Sequence, residues 1–432
     1  MLQFVRRMAR AQSYVIGQVP KLLGAPSLGA RGSDGASNSL EEKKEVTRTF
    51  AATPSPSSAP ARAPIFDHLA GLEGASTTYP VPRKPEIKNL LLVEKITRYE
   101  QYLYDQAEMQ QIYKRYEFHD PLYVDDRIRE KFPGMHQTYV AHKENVRKIL
   151  ELFEQEYKVQ TTIVKAFFVE RSHAVGRDAV VSIGGDGTFL DAASVVDGAT
   201  MTIGINSDPE RSEGRLCINR KGESIESVVH RIMQGDYSPV VRQRIQVTIV
   251  TENGHKRVLP HKPLNDVLVA EVECAPTLYA EISVDGSDFE RQKNSGILVC
   301  TGTGSTAWNY NMGKVREDRV AQVVKEFLEM QPEYVRQSIV PVDVRVLRDN
   351  VNANLVFDPR EAKLRYSVRE SIENRVFSVK HASGFAQKVA VRPLSSGNVH
   401  LFLDGINKVA LRHDETAELE VCSAGPLQTA LR

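Results

Sequence analysis

The hydrophobic pattern of the chain changes its period near residue 244, and this change constrains the fold more than any other feature. From about residue 89 to 235, short apolar runs alternate with stretches whose apolar residues recur at helical spacing. The runs "NLLLVE", "AVVSI" and "MTIGIN" start at Asn89, Ala179 and Met201. Such short unbroken runs are typical of strands buried on both faces. The pattern therefore predicts a mostly parallel sheet covered by helices.

After Arg244 the apolar residues alternate with polar ones, as in "RIQVTIV". Asp285-Gly286 and Asp404-Gly405 each stand between two strand-like runs, where Asp-Gly predicts a tight hairpin turn. Short alternating strands with such turns predict a β-rich domain of two packed sheets. The charged stretch from Lys314 to Arg348 is predicted to be helical.

The first 65 residues have a different character. Residues 1–32 contain five basic residues and neither Asp nor Glu, with apolar residues between the arginines. An amphipathic, acid-poor leader is typical of a mitochondrial transit peptide; the alternative is a disordered basic tail without a targeting role. Residues 51–64, "AATPSPSSAPARAP", contain too few large apolar groups to fold. We therefore expect residues 1–65 to be a transit peptide and linker.

Composition argues against several classes of protein. The formal net charge of +1 provides no overall field to attract nucleic acid, so no nucleic-acid partner is expected. We find no run of 18 apolar residues, so no membrane span is expected. The four cysteines are not spaced as C-x-x-C, and no H-E-x-x-H occurs. Neither a disulfide framework nor a structural zinc site is therefore expected.

The segment "VVSIGGDGTFLDAAS" places Gly184, Gly185 and Gly187 around Asp186, directly after an apolar run. A strand, a glycine-rich turn and a helix, here expected to start near Thr188, can hold phosphate through backbone N–H groups. Neither a Walker A loop nor G-x-G-x-x-G is present.

Asp186 needs an explanation of its own, because two like unit charges 4 Å apart repel by about 4 kcal/mol at an effective dielectric near 20. A carboxylate beside a phosphate therefore indicates either a bound Mg²⁺ or the acceptance of a proton from an attacking hydroxyl. The alternative is an ordinary turn in which Asp186 caps the following helix.

Two further segments are candidates for a ligand wall. "NSGILVCTGTGSTAWNYN", from Asn294 to Asn311, runs from a buried strand into alternating glycines and hydroxyl residues, with Trp308 available to stack on a flat ring. "KPLNDVLVAE" places Asn265 and Asp266 before an apolar strand, where an amide and a carboxylate could bind an adenine edge or a ribose diol. The alternative for Asn265-Asp266 is a simple turn.

These three segments, in this order, resemble the signatures of the NAD kinase family: a Gly-Gly-Asp-Gly-Thr loop, an Asn-Asp pair and a Thr-Gly-Ser-Thr-Ala segment. The resemblance covers roughly residues 89 to 420. The first motif alone is unspecific, because diacylglycerol and sphingosine kinases and phosphofructokinases have similar loops. The leader and "RESIENRVF" (residues 369–377) are most similar to the animal mitochondrial branch of the family.

The resemblance implies an N-terminal Rossmann-like α/β domain and a C-terminal β-sandwich-like domain, with the active site between them. We assign residues 66–243 to the first domain and 244–405 to the second, and expect residues 406–432 to return to the first. The family's partners would be NAD and a phosphoryl donor, either ATP or inorganic polyphosphate, with Mg²⁺. A mitochondrial matrix location and a homodimer or larger homo-oligomer are also implied.

Carried over by motif, Asp186 would be the base that faces the adenosine 2′-hydroxyl of NAD. The other residues implied in binding are Gly184, Gly185, Gly187, Thr188, Asn265, Asp266, Ser295, Thr303, Thr306, Ala307, Trp308 and Asn311. No metal ligand is assigned.

The sequence departs from the family pattern in places. Gly302 replaces a proline, Trp308 a tyrosine, and Ser295 a residue that is commonly Asp. Two alternatives therefore stay open: a diacylglycerol-type lipid kinase, and a non-catalytic NAD(H)-binding regulator that has kept the pocket.

Overall fold

The structure, a computed structural model, describes residues 84–105, 126–273, 276–336, 342–375, 377, 379–395, 397–422 and 425–431. All of them belong to one compact unit that spans residues 74–432. The transit peptide and linker predicted for residues 1–65 lie outside the described residues.

The strands of the described part form three sheets and lie within the following bounds. They are β1 (Asn89–Glu94), β2 (Gln160–Lys165), β3 (Ala179–Ile183), β4 (Met201–Ile205), β5 (Ser238–Arg242), β6 (Ile245–Thr251), β7 (Lys256–Val258), β8 (Asp266–Glu271), β9 (Leu278–Val284), β10 (Glu290–Asn294), β11 (Gly296–Cys300), β12 (Leu364–Arg369), β13 (Ser383–Ala386), β14 (Lys388–Pro393), β15 (Val399–Leu403), β16 (Asn407–Ala410), β17 (Glu415–Val421) and β18 (Leu427–Leu431).

The helices cover the first sheet or lie in the stretch that follows β11. They are α1 (Arg98–Asp105), α2 (Asp126–Lys131), α3 (Pro133–Glu151), α4 (Arg171–Ala174), α5 (Asp186–Val195), α6 (Ile225–Gln234), α7 (Trp308–Gly313), α8 (Glu317–Glu329), α9 (Glu333–Arg336) and α10 (Val344–Ala353). The predicted helical character of the charged stretch after Lys314 is confirmed by α8, α9 and α10.

The first sheet has the strand order β2-β1-β3-β4-β18-β5. The first four strands run parallel, β18 pairs in parallel with β4, and β5 pairs antiparallel with β18. Every residue of β3 and β4 is buried, as the unbroken apolar runs predicted. The last strand of the chain thus lies inside the first sheet.

The other two sheets are antiparallel, with strand orders β10-β9-β14-β17-β6-β7 and β13-β12-β11-β8-β15-β16. Apolar side chains from both sheets form one shared core, so the sheets pack face to face. The two predicted Asp-Gly turns are present, because φ is positive at both residues of each: 50° and 80° at Asp285 and Gly286, and 52° and 64° at Asp404 and Gly405. The predicted combination of an α/β domain with a β-sandwich-like domain is confirmed.

A separate apolar cluster joins the first sheet to the sandwich. It contains Phe189 of α5, Leu427 of β18 and Leu264, which lies two residues before β8. A backbone hydrogen bond from Gln243 N–H to Pro359 O, 2.9 Å long, makes a second connection. The ends of β3, β8 and β11 are therefore held near one another.

Within the part of the chain that the structure describes, no helix combines the length and the apolar character that a membrane crossing requires.

Candidate active site

The glycine-rich loop follows β3 at the carboxyl end of the parallel sheet, which is where open α/β sheets bind ligands. Gly184 N–H donates to Ile205 O at 2.9 Å, and this bond fixes the loop to the end of β4. Helix α5 begins at Asp186, two residues before the predicted start at Thr188, and its N-cap is Gly185. The alternative interpretation, in which Asp186 caps this helix, is therefore wrong.

The Asp186 carboxylate is held by a different part of the chain. Arg215 N–H donates to Oδ2 at 3.2 Å, and Leu216 N–H donates to Oδ1 at 2.8 Å. A carboxylate oxygen can accept two hydrogen bonds, so each oxygen retains capacity for another donor. The loop after β4 thus orients Asp186 without exhausting its capacity as a proton acceptor.

Arg215 also connects this carboxylate to the third sheet. Its Nη1 donates to Thr306 O at 2.8 Å, while its Nε pairs with Glu213 Oε2 at 2.6 Å. One residue therefore joins the loop that holds Asp186 to the turn of residues 301–306. The predicted glycine-rich segment around Asp186 and the predicted segment of residues 294–311 therefore lie together, although more than a hundred residues separate Asp186 from the turn in the sequence.

The turn of residues 301–306 is packed tightly against the Asn265 segment. Thr301 N–H donates to Asn265 O at 2.9 Å, and a Cβ built at Gly304 would lie 2.0 Å from the same oxygen. A Cβ at Gly302 would lie 2.2 Å from Asp358 O. Any residue with a Cβ would clash at both places. At position 302 this explains why glycine stands where the family pattern has proline.

Asn265 and Asp266 are positioned by the carboxylate of Asp404 at the hairpin turn between β15 and β16. Asp404 accepts backbone N–H groups from Leu264 at 2.7 Å, from Asn265 at 2.7 Å and from Asp266 at 3.1 Å. Asn265 Oδ1 is buried and has no hydrogen-bond partner among the described residues. A buried amide oxygen without a partner is costly, so it is well suited to a donor from a bound group.

Asp266 carries a strongly perturbed carboxyl group. Burial, together with the nearby Asp404 carboxylate, raises its pKa to about 8. The side chain is therefore largely protonated at neutral pH and can donate as well as accept a hydrogen bond.

Three predicted residues lie at the edge of this arrangement or away from it. Ser295 precedes β11, at the opposite end of that strand from Thr301, and its N–H donates to Arg369 O at 2.9 Å. Asn311 is exposed on α7, where its Nδ2 donates to Ala307 O at 3.1 Å. Trp308 is 41% exposed and carries the Arg369 guanidinium 5.7 Å from its ring centroid.

Four residues in or beside this arrangement were not singled out from the sequence as site residues. Lys95 follows β1, and its Cβ lies 2.9 Å from the position of a Cβ built at Gly184; burial lowers the pKa of its ammonium group. Arg242 ends the apolar strand β5, and a charge in such a run is a signal that could have identified it. Arg215 and Asp404 carried no signal, because their roles depend on long-range contacts.

The described residues contain no group of three or more His, Cys, Asp or Glu side chains that could hold a metal ion. Mg²⁺ is commonly bound by one or two carboxylates together with the phosphates of a substrate. The residues present thus fit a metal ion that enters bound to the phosphates of a substrate, with Asp186 as the nearby carboxylate. They do not fit a site in which protein side chains supply all the ligands.

Comparisons with known proteins agree with this architecture. No family model matches the chain. "NAD kinase 2, mitochondrial" of Xenopus tropicalis is 33% identical over 344 residues, which cover 64% of this chain and 79% of that protein. The human protein of the same name is 31% identical over 329 residues, covering 64% and 73%. The crystal structure of yeast NADH kinase in complex with NADH has a similar fold, with a TM-score of 0.51 at 13% identity over 81% of this chain and 84% of that one.

The two-domain architecture and the three connected segments define an α/β domain joined to a β-sandwich, with a glycine-rich loop at the carboxyl end of the parallel strands. Given the identity and coverage of the Xenopus tropicalis relative, the chain belongs to the NAD kinase family.

Proposed function

We propose that this chain is an NAD kinase, which transfers the γ-phosphoryl group of ATP to the adenosine 2′-hydroxyl of NAD and forms NADP. The observation that carries the proposal is the fixed Asp186 carboxylate, held by Arg215 and Leu216 N–H groups, together with the bond from Arg215 to Thr306. A potential proton acceptor at a glycine-rich loop thus lies close to the wall proposed to bind the nucleotide.

The proposed chemistry is an in-line displacement at phosphorus. The 2′-oxygen forms a bond to the γ-phosphorus, the bond from that phosphorus to the β–γ bridging oxygen breaks, and its electron pair leaves with ADP. Asp186 accepts the hydroxyl proton and later passes it to solvent. Phosphoryl transfer tends to have a loose transition state, so the carboxylate needs to position the hydroxyl and accept its proton late.

The dinucleotide would be bound by the Asn265 side of the site. The unpartnered Asn265 Oδ1 can accept a hydrogen bond from an adenine amino group or a ribose hydroxyl. Asp266, largely protonated at neutral pH, can donate to a ribose oxygen or accept from a ribose hydroxyl. Thr303, Thr306 and Ala307 would line the same wall, and Ser295, Trp308 and Asn311 remain peripheral candidates.

The donor phosphates would lie against Gly184, Gly185, Gly187 and Thr188. A Cβ at Gly187 would meet no atom within 4 Å, and one at Gly185 would meet only Ser212 Oγ at 3.7 Å. Protein packing therefore gives no reason for glycine at either position, whereas close approach of a phosphate does. Mg²⁺, when bound with the donor, would neutralise phosphate charge; inorganic polyphosphate is a second possible donor.

Location and assembly complete the proposal. Relatives named as mitochondrial, together with the acid-poor leader, support a mitochondrial location, and we propose the matrix as the compartment. A homodimer or larger homo-oligomer is proposed by analogy with the family. Residues 66–243 and 244–405 are proposed as the two domains. The expectation that residues 406–432 return to the first is corrected, because β16 and β17 pair within the sandwich sheets and only β18 joins the first sheet.

The test is NADP formation by the full-length chain from NAD, ATP and Mg²⁺, followed by identification of the 2′-phosphate in the product by NMR. We expect turnover with ATP and none with a diacylglycerol acceptor. Absence of NADP together with tight NAD binding would contradict the proposed function and favour a non-catalytic regulator. Phosphorylation of the lipid would favour the lipid kinase.

A further inference from the structure

Arg242 is a buried cation that links the first sheet to the nucleotide wall. It ends β5 and is 6% exposed. Its Nε donates to Thr429 Oγ1 of β18 at 3.1 Å, and its Nη1 donates to Thr303 Oγ1 at 3.3 Å. The guanidinium group therefore lies beside the turn of residues 301–306.

This guanidinium has no carboxylate in ion-pair contact among the described residues, although it carries a full charge. Burial lowers the pKa of Arg242 to about 10, while the carboxylates of Asp186 and Asp358 act to raise it. Asp358 is engaged elsewhere, because its Oδ2 pairs with Arg360 at 2.6 Å. Two hydroxyl acceptors occupy only part of a group with five N–H donors, so donors remain for an incoming oxygen.

The electrostatics of Asp186 call for such a cation. An ionised carboxylate next to a phosphate is repelled by it, and a fixed protein cation beside both would offset this repulsion in addition to Mg²⁺ that enters with the donor. Arg215 is near Asp186, but its own charge is offset by Glu213 at 2.6 Å. Arg242 has no such counter-ion among the described residues, and it contacts Thr303 in the same turn that Arg215 contacts at Thr306.

We infer that Arg242 binds the phosphoryl group as it passes to the 2′-oxygen beside Asp186, and afterwards binds the 2′-phosphate of the product. The inference rests on the proposed function and extends it by one residue and one contact. A guanidinium group suits this role, because it presents several N–H donors to phosphate oxygens and stabilises charge in the transition state.

Arg244 provides a matched control. It is 1% exposed, and its Nη1 donates to Val196 O at 2.9 Å. Burial lowers its pKa, and its Nε and Nη2 are buried without a hydrogen-bond partner among the described residues. Arg242 and Arg244 are therefore two buried arginines, separated by one residue, of which the first donates to Thr303 in the turn of residues 301–306 and the second to Val196 O.

The experiment compares Arg242→Met, Arg242→Lys and Arg244→Met in the full-length chain. Steady-state kinetics give kcat and KM, calorimetry gives the Kd for NAD and for NADP, and thermal unfolding reports stability. For Arg242→Met we expect kcat to fall at least about 100-fold. We also expect its affinity for NADP to fall at least about tenfold more than its affinity for NAD. Arg244→Met should lose stability but keep the wild-type ratio of the two affinities.

Equal losses of NAD and NADP affinity in Arg242→Met, or the same kinetic change in both Met variants, would overturn the inference. If Arg242→Met does not fold, Arg242→Lys decides, since a compact ammonium cannot replace a guanidinium that contacts a hydroxyl and a phosphate together. We expect this variant to lose about tenfold in kcat; wild-type kcat and affinity ratio would contradict the inference. A wild type that binds both dinucleotides without forming NADP would contradict the proposed function instead, and the affinity ratio would still test Arg242.

Discussion

The loop of residues 184–188 and the turn of residues 301–306 have the same sequence character but different reasons for their glycines. Each follows a fully buried strand, β3 or β11. In the turn, a Cβ at Gly302 or Gly304 would lie 2.2 or 2.0 Å from a backbone oxygen of another segment. In the loop, a Cβ at Gly187 would meet no atom within 4 Å.

This difference separates glycines that the fold requires from glycines that a ligand requires. The turn packs directly on the backbone of Asn265 and Asp358, so its shape is determined by the protein itself. At Gly185 and Gly187 the surrounding protein leaves room for a side chain, and neither residue has a positive φ. A Cβ at Gly184, by contrast, would lie 2.3 Å from Thr188 Oγ1, so this glycine is required by packing. We therefore expect substitutions in the turn to act mainly on stability, and substitutions at Gly185 and Gly187 to act mainly on turnover.

The largest expected effect in the loop is on Asp186. Asp186→Asn should lower kcat by roughly 10² to 10⁴, because the amide cannot accept the hydroxyl proton. Its unfolding temperature should change little, since only one of the two N–H contacts from Arg215 and Leu216 is lost. Initial rates of NADP formation and thermal unfolding measure both quantities.

Asp197 supplies the control for that variant. Its Oδ1 accepts Ala199 N–H at 3.0 Å and Thr200 N–H at 3.3 Å, so it is a second carboxylate held by two backbone donors, just beyond the far end of α5. Asp197→Asn should leave kcat unchanged. Near-normal turnover in Asp186→Asn would show that Asp186 is not the general base. The loop of residues 184–188 would then have less claim to a catalytic role than the turn of residues 301–306 has to a structural one.

In the turn, Gly304→Ala should cost about 3 kcal/mol or more in stability. The added methyl group meets the Asn265 carbonyl at 2.0 Å, and backbone atoms cannot move aside as a flexible side chain can. Denaturant unfolding of the full-length chain measures the loss. A variant of normal stability with lowered kcat would show that Gly304 is required for ligand binding and not for packing of the turn.

The sequence predicted the parts of this molecule that depend on local pattern. Buried runs predicted β1, β3 and β4, and the Asp-Gly pairs predicted two hairpins, because period and turn chemistry are short-range properties. The same reasoning predicted that Asp186 follows β3 at a glycine-rich turn, although α5 begins two residues earlier than predicted.

The contacts that fix the site could not be read in this way. Asp186 is held by residues 29 and 30 positions further along the chain. Asp404 was predicted only as a turn residue, but its carboxylate clamps a segment 138 to 140 positions earlier. Nothing in the local pattern specifies which strand ends meet, so such partners emerge only from the packing of three sheets.

A pH-dependent effect on stability is expected beside the turn. The pKa of Asp266 is about 8 in the folded protein against an ordinary value of 3.8, so the folded state retains a proton that the unfolded chain has lost. Stability should therefore fall as pH rises from about 4 to about 8, by up to about 1.4 kcal/mol per pH unit, and level off above that range. Asp266→Asn, which cannot ionise, should abolish this slope.

Thermal unfolding of both proteins between pH 6 and pH 9 measures that difference. The advantage of Asp266→Asn over the wild type should grow between pH 6 and pH 8 and then become constant. Asp288→Asn removes an exposed carboxylate from another hairpin and should follow the wild-type curve. Parallel curves for Asp266→Asn and the wild type would mean that Asp266 does not titrate in this range.

The smallest change in stability is expected for Gly187→Ala. This variant also tests most directly whether the loop glycines are required by a ligand. Gly187 is the second residue of α5, where alanine favours the helix by up to about 1 kcal/mol, and a Cβ there touches no protein atom. Stability should be unchanged or slightly higher. The rate constant kcat/KM should nevertheless fall at least about tenfold, because the methyl group occupies the space in which the donor phosphates approach the backbone.

Gly134 matches Gly187 in its position within a helix and in the free space around it. It is the second residue of α3, and a Cβ built there also meets nothing within 4 Å. Gly134→Ala should therefore produce the same small gain in helix stability with no change in kcat/KM. If both variants keep full activity, the open space above the glycine-rich loop is not a phosphate site, and the distinction between the two kinds of glycine fails.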